Sequence, residues 1–297
     1  MITKFGKRFI SSYLAGTAVS PTKDLAFGID STAVQSNGND TRLGFEFYRI
    51  PVSFGSIDIQ TDVSGNSTYS IVYQATIPQD VSGIIKEIGL YPGLKSSINN
   101  YDSKFIADFE NNLMWFKSDG ANPELAATTT SGIVPRVGSY FSKVGVSPSQ
   151  SMEFVCSYSG LDLSGYTASD SLSLAYNQEN TNLDSIVFRF YSSDSSYYSA
   201  TFAGAASVTD TNKIAKVLFS SLVANNAYAD LTSIIKIGVV ITAKSSGQAV
   251  VYLDALRIDD EDTFDANFGL ISRSVVSPIE KIAGKPVDIE YRINLGF

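Results

Sequence analysis

Apolar and polar residues alternate with a period of two along much of this chain. The clearest stretches are residues 69–77, 186–191, 234–242 and 285–295. Because successive side chains of a β-strand point to opposite faces, this alternation predicts strands that bury one face. In the strongest stretch, one predicted face carries Ile186, Phe188 and Phe190, and the other carries Val187, Arg189 and Tyr191.

Many short strands at regular spacing predict an antiparallel all-β fold, either a sandwich or a barrel. Within residues 104–263 about eight strands fit a jelly-roll sandwich. The predicted strands of this region are 133–137, 152–157, 171–176, 186–191, 198–202, 215–219, 234–242 and 249–258. Residues 211–222 are the candidate for a short helix, with a strand as the alternative.

Two distant segments have the pattern of one β-hairpin. Residues 84–91, IIKEIGLY, predict a strand that runs into a tight turn, and residues 268–276 predict its antiparallel return. Insertions are tolerated best at loop tips, where the ends of the inserted domain lie side by side. We therefore predict a discontinuous β-domain formed by residues 1–103 and 264–297, with residues 104–263 inserted as a jelly-roll domain.

Composition excludes several kinds of function. The chain has 297 residues, a net charge of -8 and no histidine. Absence of histidine excludes Ser-His-Asp and Cys-His nucleophiles and His-ligated metals within this chain. The acidic balance argues against binding of nucleic acid. A paired-carboxylate glycosidase needs no histidine and stays as an alternative, but no nucleophile or phosphate-loop motif is present, and we expect no enzymatic activity.

The only cysteine, Cys156, lies in a strand-like run and cannot form a disulfide within the chain. A chain without disulfides is typical of folding in a reducing cytoplasm. No apolar run reaches the ~18–20 residues that a membrane-spanning helix needs. We therefore expect no membrane span.

The two outer segments resemble a virion module of tailed phages that occurs in tail fibre, collar and minor tail proteins. The matching runs are residues 14–18 (LAGTA), 25–28 (LAFG), 41–46 (TRLGFE), 49–52 (RIPV), 75–78 (ATIP), 84–91 (IIKEIGLY), 270–273 (LISR) and 278–281 (PIEK). This resemblance implies a structural component of a phage particle, with other virion proteins as partners and the virion as its location. Capsid decoration is the alternative within the same class.

The inserted segment looks like a carbohydrate-binding-module jelly roll, through residues 107–110 (ADFE), Trp115 and the closing strand 250–258. The resemblance implies a structural Ca²⁺ held by Asp254, with Glu110 or Asp108 as partner. An Asp254 that only hydrogen-bonds a nearby turn is the alternative. A cellular carbohydrate-binding or adhesion protein is therefore the competing function.

Glycan binding needs exposed aromatic faces beside polar groups, because sugars stack on rings and hydrogen-bond at their edges. The best local cluster consists of Arg189, Tyr191, Asp194, Tyr197 and Tyr198. We predict that these five residues form a site for a glycan of the host surface.

Symmetric association is the common route by which weak binding modules gain avidity. We therefore expect a homo-oligomer. Residues 4–13 are basic and carry Phe5, Phe9 and Ile10, and they are predicted to form an arm that packs on a neighbouring molecule.

Overall fold

A computed structural model of the chain describes residues 1–16, 23–40, 42–92, 103–107, 109–110, 115–117, 124–203, 213–259 and 269–295. The described elements of the first half are α1 (Lys4–Leu14), β1 (Lys23–Gly28), β2 (Glu46–Thr61), β3 (Ser67–Ile77), β4 (Gly83–Pro92), β5 (Ser103–Ala107), β6 (Phe116–Lys117), β7 (Glu124–Ala126) and β8 (Phe141–Val146). Those of the second half are β9 (Ser151–Leu161), β10 (Ser171–Gln178), β11 (Leu183–Tyr191), β12 (Tyr197–Ala203), β13 (Lys213–Leu218), a 3₁₀ turn (Phe219–Ser221), β14 (Val223–Ala224), β15 (Ile234–Ala243), β16 (Ala249–Asp259), β17 (Ser272–Lys281) and β18 (Val287–Leu295).

The chain divides into two compact units. Unit 1 comprises Met1–Asn100 and Phe264–Phe297, and unit 2 comprises Tyr101–Thr263. Antiparallel strands make up both units, so the predicted all-β fold class is confirmed.

Unit 1 is built on one six-stranded, barrel-like sheet, sheet A, in the order β17-β4-β1-β2-β3-β18. Strands β4 and β17 pair antiparallel, with Leu90 opposite Ser272, which is the pairing predicted for the interrupted hairpin. The edge strands β17 and β18 approach each other where the Tyr291 hydroxyl lies 3.1 Å from Ser272 Oγ. Leu25, Phe27 and other apolar side chains fill the interior.

The N-terminal segment packs on unit 1 itself. It forms helix α1, in which Phe5 is buried in the sheet A core and stacks on Phe9, with ring centroids 6.1 Å apart. Gly6 lies against the backbone of Ile271, where a Cβ atom would come within 2.0 Å of the carbonyl oxygen. The prediction that this segment is an arm that packs on a neighbouring molecule is wrong for Phe5, because the Phe5 ring fills the core of its own unit. Among the described helices, none is both long and apolar enough to cross a membrane.

Unit 2 is a sandwich of two sheets. Sheet B has the order β13-β10-β16-β8-β7, with β5 also paired to β16, and sheet C has the order β14-β12-β11-β15-β9-β6. The core between them is built from alternate residues of both sheets, for example Leu174 and Leu253 from sheet B and Phe188 and Ile237 from sheet C. Burial of one face of each strand explains the period-two pattern of the sequence.

Residues 213–218 form strand β13, because they pair with β10 and bury Ala215 and Val217 in alternation. This confirms the strand predicted over residues 215–219 and decides for the strand alternative in the described part of residues 211–222. The strand predicted over residues 133–137 is wrong. Residues 133–137 are irregular and form no strand. The backbone amide of Arg136 in this segment instead donates a hydrogen bond to the side chain of Asp254.

Candidate functional site

The outward face of sheet C carries the polar side chains of β11. Phe188 and Phe190 are buried in the core, as the alternation predicts, and Arg189 and Tyr191 therefore point away from it. Tyr191 stands directly opposite Tyr197 on β12 and Lys236 on β15. Three adjacent strands thus bring aromatic and charged groups to one place.

Glu153 on β9 joins this group from across the sheet. One of its carboxylate oxygens accepts a 2.5 Å hydrogen bond from the Tyr191 hydroxyl, and the other lies 3.2 Å from Arg189 Nη1. Arg189 Nη1 also lies 3.3 Å from the Tyr191 hydroxyl oxygen. The three side chains therefore hold each other in fixed positions.

Cations and rings alternate beside this network. The Tyr191 and Tyr197 ring centroids lie 5.0 Å apart, and the Arg189 guanidinium lies 5.0 Å from the Tyr197 centroid. Lys236 Nζ lies 4.3 Å from the Tyr191 centroid and 3.2 Å from Asp194 Oδ1. These distances are those of cation–π contacts. We call the six residues the tyrosine–cation cluster; they are Glu153, Arg189, Tyr191, Asp194, Tyr197 and Lys236.

A glycine makes room for the cluster. Gly238 on β15 lies opposite Arg189, and a Cβ atom on it would come within 2.3 Å of Glu153 Oε1 and 3.1 Å of Tyr191 Cε2. The side chains of Glu153 and Tyr191 therefore lie directly over the glycine backbone. Gly in a strand interior often marks such a close approach.

The cluster differs in exposure from one end to the other. Tyr191 is buried, only 5% exposed, and burial together with the hydrogen bond to Glu153 raises its pKa to about 12. Tyr197 is half-buried, and the Asp194 side chain is 97% exposed in the turn between β11 and β12. Tyr197 is therefore the ring of the cluster that a ligand can reach, with Tyr191 as its support.

The turn of Asp194 is fixed by a second loop. Asn225 accepts a 2.7 Å hydrogen bond from the Tyr197 amide and donates a 2.8 Å bond to the Ser195 carbonyl. The amide of Asn225 in turn donates to the Tyr197 carbonyl at 2.9 Å. Both backbone polar groups of Tyr197, its amide and its carbonyl, are therefore hydrogen-bonded to Asn225.

Four of the five predicted site residues come together, namely Arg189, Tyr191, Asp194 and Tyr197. Tyr198 does not join them, because it pairs with Phe190 and packs against the sandwich core. The sequence analysis missed Glu153, Lys236 and Gly238. Their contribution depends on the pairing of β15 with β11 and of β9 with β15, which the local pattern of the single strands does not reveal.

One of the predicted metal residues, Asp254, lies on a central strand of sheet B. Asp254 is fully buried on β16, and its Oδ2 accepts a 2.7 Å hydrogen bond from the Arg136 amide. Its Oδ1 has no hydrogen-bond partner among the described residues. Burial raises the pKa of Asp254 to about 7, against hydrogen bonds from Arg136 and Val137 that lower it.

Glu110 lies near enough to Asp254 for its charge to raise that pKa further. The Glu110 carboxylate accepts bonds from the amides of Ser139 at 2.9 Å and Tyr140 at 3.0 Å. The unpaired Oδ1 and the all-oxygen donors fit a hard cation such as Ca²⁺. In the part of the chain that the structure describes, no group of three or more acidic or cysteine side chains is arranged around a metal position. Asp108, the alternative partner, lies outside the described residues.

No protein-family model matches this chain, and a search of the curated proteins finds no match. Among solved structures, it is similar to a family 11 carbohydrate-binding module from Clostridium thermocellum in complex with a β-1,3-1,4-mixed-linked tetrasaccharide, with 18% identity, a TM-score of 0.36, and coverage of 53% of this chain and 95% of the module. A carbohydrate-binding module of the β-sandwich superfamily shows 12% identity and a TM-score of 0.34 over 80% of this chain and 85% of its own. An exo-β-agarase shows 15% identity and a TM-score of 0.38 over 53% of this chain but 26% of the agarase. Similarities at these low identities and TM-scores carry no argument about the function of this chain.

Proposed function

We propose that unit 2 is a non-enzymatic glycan-binding domain and that the tyrosine–cation cluster is its binding site. The observation that carries this proposal is an outward tyrosine, Tyr197, whose ring centroid lies 5.0 Å from the Arg189 guanidinium and 5.0 Å from the Tyr191 centroid, next to polar side chains already in position. A ring face for stacking and polar groups at its edge are what recognition of a sugar requires.

The cluster is organised before a ligand arrives. Glu153, Arg189 and Tyr191 restrain each other by hydrogen bonds, and the backbone of Tyr197 is bonded to Asn225. Side chains that are already ordered lose little conformational entropy on binding, so less of the interaction free energy is spent on ordering them. One stacking contact contributes only about 1 kcal/mol. We therefore expect a single domain to bind weakly, with a Kd of roughly millimolar.

The chemistry of the cluster supports binding over catalysis. Glycosidases need one carboxyl group that acts as an acid and a second that acts as a base or nucleophile. Both oxygens of Glu153 are engaged by Tyr191 and Arg189, and Asp194 pairs with Lys236. These contacts bond both carboxylates to side chains of the chain itself and leave no free pair of carboxyl groups in the cluster.

For the whole chain we propose a structural role in a tailed-phage particle, in a tail, collar or fibre. The resemblance of the two outer segments to the virion module is what supports this proposal. Two of the matching runs, residues 84–91 and 270–273, meet in the fold, where Arg273 Nη2 lies 2.8 Å from Glu87 Oε2 in a buried ion pair. On this proposal the protein is located in the virion, contacts other virion proteins, and is a homo-oligomer that presents many weak sites at once. Capsid decoration and a cellular adhesion protein are the alternatives.

A structural Ca²⁺ is part of the same proposal. Asp254 and Glu110 would hold it, and it would tie strand β16 to the segment that contains Glu110. The ion would neutralise a carboxylate that is otherwise buried with one oxygen unpaired. Its role would be stability of unit 2, with no part in binding the glycan.

Binding of the full chain to an array of host-surface glycans tests the glycan proposal. We expect weak, reproducible binding to a subset of glycans when the protein is displayed in many copies. Tyr197→Ala should remove it, whereas Tyr140→Ala should not, because Tyr140 is an exposed tyrosine that precedes β8 of the opposite sheet. Equal loss in both variants, or no binding by the wild-type protein, would contradict the proposal.

A further inference from the structure

Resting on the proposed glycan site, we infer that its ligand is an acidic glycan whose carboxylate is bound by Lys236 in place of Asp194. The inference depends on how the four charges of the tyrosine–cation cluster are paired. Two are paired firmly and two are paired loosely.

The firm pair is Glu153 with Arg189. The Glu153 side chain is 18% exposed and the Arg189 side chain 29% exposed, and Tyr191 bonds to both. A partly buried pair with a shared third partner is hard to separate, because a ligand would have to replace two bonds at once. The charge of Glu153 is therefore balanced by Arg189, and neither charge of this pair is available to a ligand.

The loose pair is Lys236 with Asp194. The Lys236 side chain is 23% exposed and lies over the Tyr191 ring, so its position is fixed by the sheet. Asp194 is 97% exposed, in a turn, and its single contact with Lys236 is 3.2 Å long. Exposed ion pairs contribute about 0–1 kcal/mol to stability. Displacement of Asp194 from Lys236 by a carboxylate of the ligand therefore costs little free energy.

The position of Lys236 matches this role. Its ammonium group lies 4.3 Å from the Tyr191 centroid, and the Tyr191 and Tyr197 centroids are 5.0 Å apart. Tyr191 stands between Tyr197 and Lys236 in the register of the three strands, so only the Tyr191 side chain separates Lys236 from the accessible ring. On this inference, a sugar that stacks on Tyr197 reaches Lys236 with its carboxylate across Tyr191. In this arrangement Asp194 occupies the position of the ligand's carboxylate while the site is empty.

The net charge of -8 does not prevent binding of an acidic ligand. Charges separated by more than about 8 Å are largely screened at physiological ionic strength. Recognition then depends on the local cations, and the affinity should decrease as salt concentration rises.

The test compares acidic oligosaccharides with their methyl esters, which keep the sugar and remove the charge. The probes are oligogalacturonate, oligoalginate and hyaluronan fragments, each with its esterified form, titrated into the full chain by calorimetry. We expect the acidic form of at least one pair to bind at least about threefold tighter than its ester. Asp194→Asn should widen this ratio, and Lys236→Gln should abolish it.

Lys244→Gln is the matched control, since Lys244 lies at the end of the same sheet and bonds to the Thr181 carbonyl. Thermal melts of each variant check that unit 2 is folded. Equal binding of acids and esters, unchanged in Lys236→Gln, would overturn the inference and leave the glycan site in place. Absence of binding to these probes, with neutral glycans bound on the array, would also overturn it, and absence of all binding would overturn both proposals.

Discussion

Each unit contains a cluster of acidic and basic side chains that includes an arginine, and the two clusters differ in burial. In unit 1, Arg273 is 4% exposed and contacts Glu87, which is fully buried, and Asp40 at 2.9 Å. In unit 2, Arg189 is 29% exposed and contacts Glu153 at 3.2 Å. Asp194, which pairs with Lys236 in the same cluster, is almost completely exposed. The same residue types are therefore buried in the core of unit 1 and accessible to a ligand on the surface of unit 2.

The buried cluster of unit 1 connects segments that are far apart in the sequence. Glu87 on β4 accepts bonds from the amides of Gly44 at 3.0 Å and Phe45 at 2.9 Å, and Arg273 on β17 donates a 2.9 Å bond to it. Every charge in this group has a charged or backbone partner. Buried charges are tolerated only under that condition.

Removal of Arg273 should have the largest effect on stability. Arg273→Met leaves Glu87 and Asp40 buried without their cation, and breaking such a pair costs roughly 3–5 kcal/mol. The free energy of unfolding of unit 1, measured by denaturant titration of the full chain, should fall by about that amount. Arg292→Met is the control, because Arg292 pairs with Asp58 and Glu290 on an exposed surface and should change stability by less than about 1 kcal/mol. Similar costs for both variants would contradict the contrast in burial.

A second prediction concerns Asp254, a buried acid with only one of its oxygens paired. Its pKa in the folded protein is raised to about 7, above the value near 4 of an unfolded chain. The neutral form is therefore favoured by folding, and its contribution to stability is full below pH 4 and is lost as pH rises through 7. In EDTA, the unfolding free energy of unit 2 should fall by roughly 2–4 kcal/mol across that range.

Calcium should reverse this trend, because a metal binds the ionised carboxylate. In millimolar Ca²⁺, unit 2 should be more stable at pH 7 than in EDTA, and Asp254→Asn should remove both the pH dependence and the response to Ca²⁺. If stability at pH 7 is the same with Ca²⁺ and with EDTA, Asp254 is a buried structural acid and the calcium proposal is wrong.

The smallest stability effect is expected at the exposed cluster. Arg189→Met removes a half-buried ion pair and should lower the unfolding free energy of unit 2 by about 1 kcal/mol or less. Glycan binding should nevertheless decrease at least about tenfold, because Arg189 positions both Glu153 and the Tyr197 ring. A large loss of stability with unchanged affinity would show that this cluster, like that of unit 1, is structural.

The sequence predicted the strands better than the site. Period-two alternation identified β11 and the burial of Phe188, because burial of one face is a local property of a strand. The same rule places Tyr197 and Tyr198 on opposite faces of β12, because neighbours in a strand point to opposite sides, so the pattern itself is enough to exclude Tyr198 from the site. Glu153 and Lys236 could not be predicted, because their place depends on strand register.

Helix α1 shows a similar limit. Phe5 and Phe9 are four residues apart, which is the spacing of one helical face, and this signal could have identified the helix. Its partner could not be read from the sequence, because Ile271 is far away along the chain. Without that partner, the sequence pattern does not distinguish packing on a neighbouring molecule from packing of Phe5 in the core of unit 1.

Mapping of glycan binding by NMR tests the central claim most directly. The full chain, labelled with ¹⁵N, would be titrated with the best-binding glycan from the array. We predict that the amide signals of Tyr197, Lys236 and Gly238 shift with one common Kd, while those of Ala255 and Leu256 in sheet B do not. Shifts that cluster elsewhere in the chain, or no shifts at saturating glycan, would contradict the assignment of the tyrosine–cation cluster as the binding site.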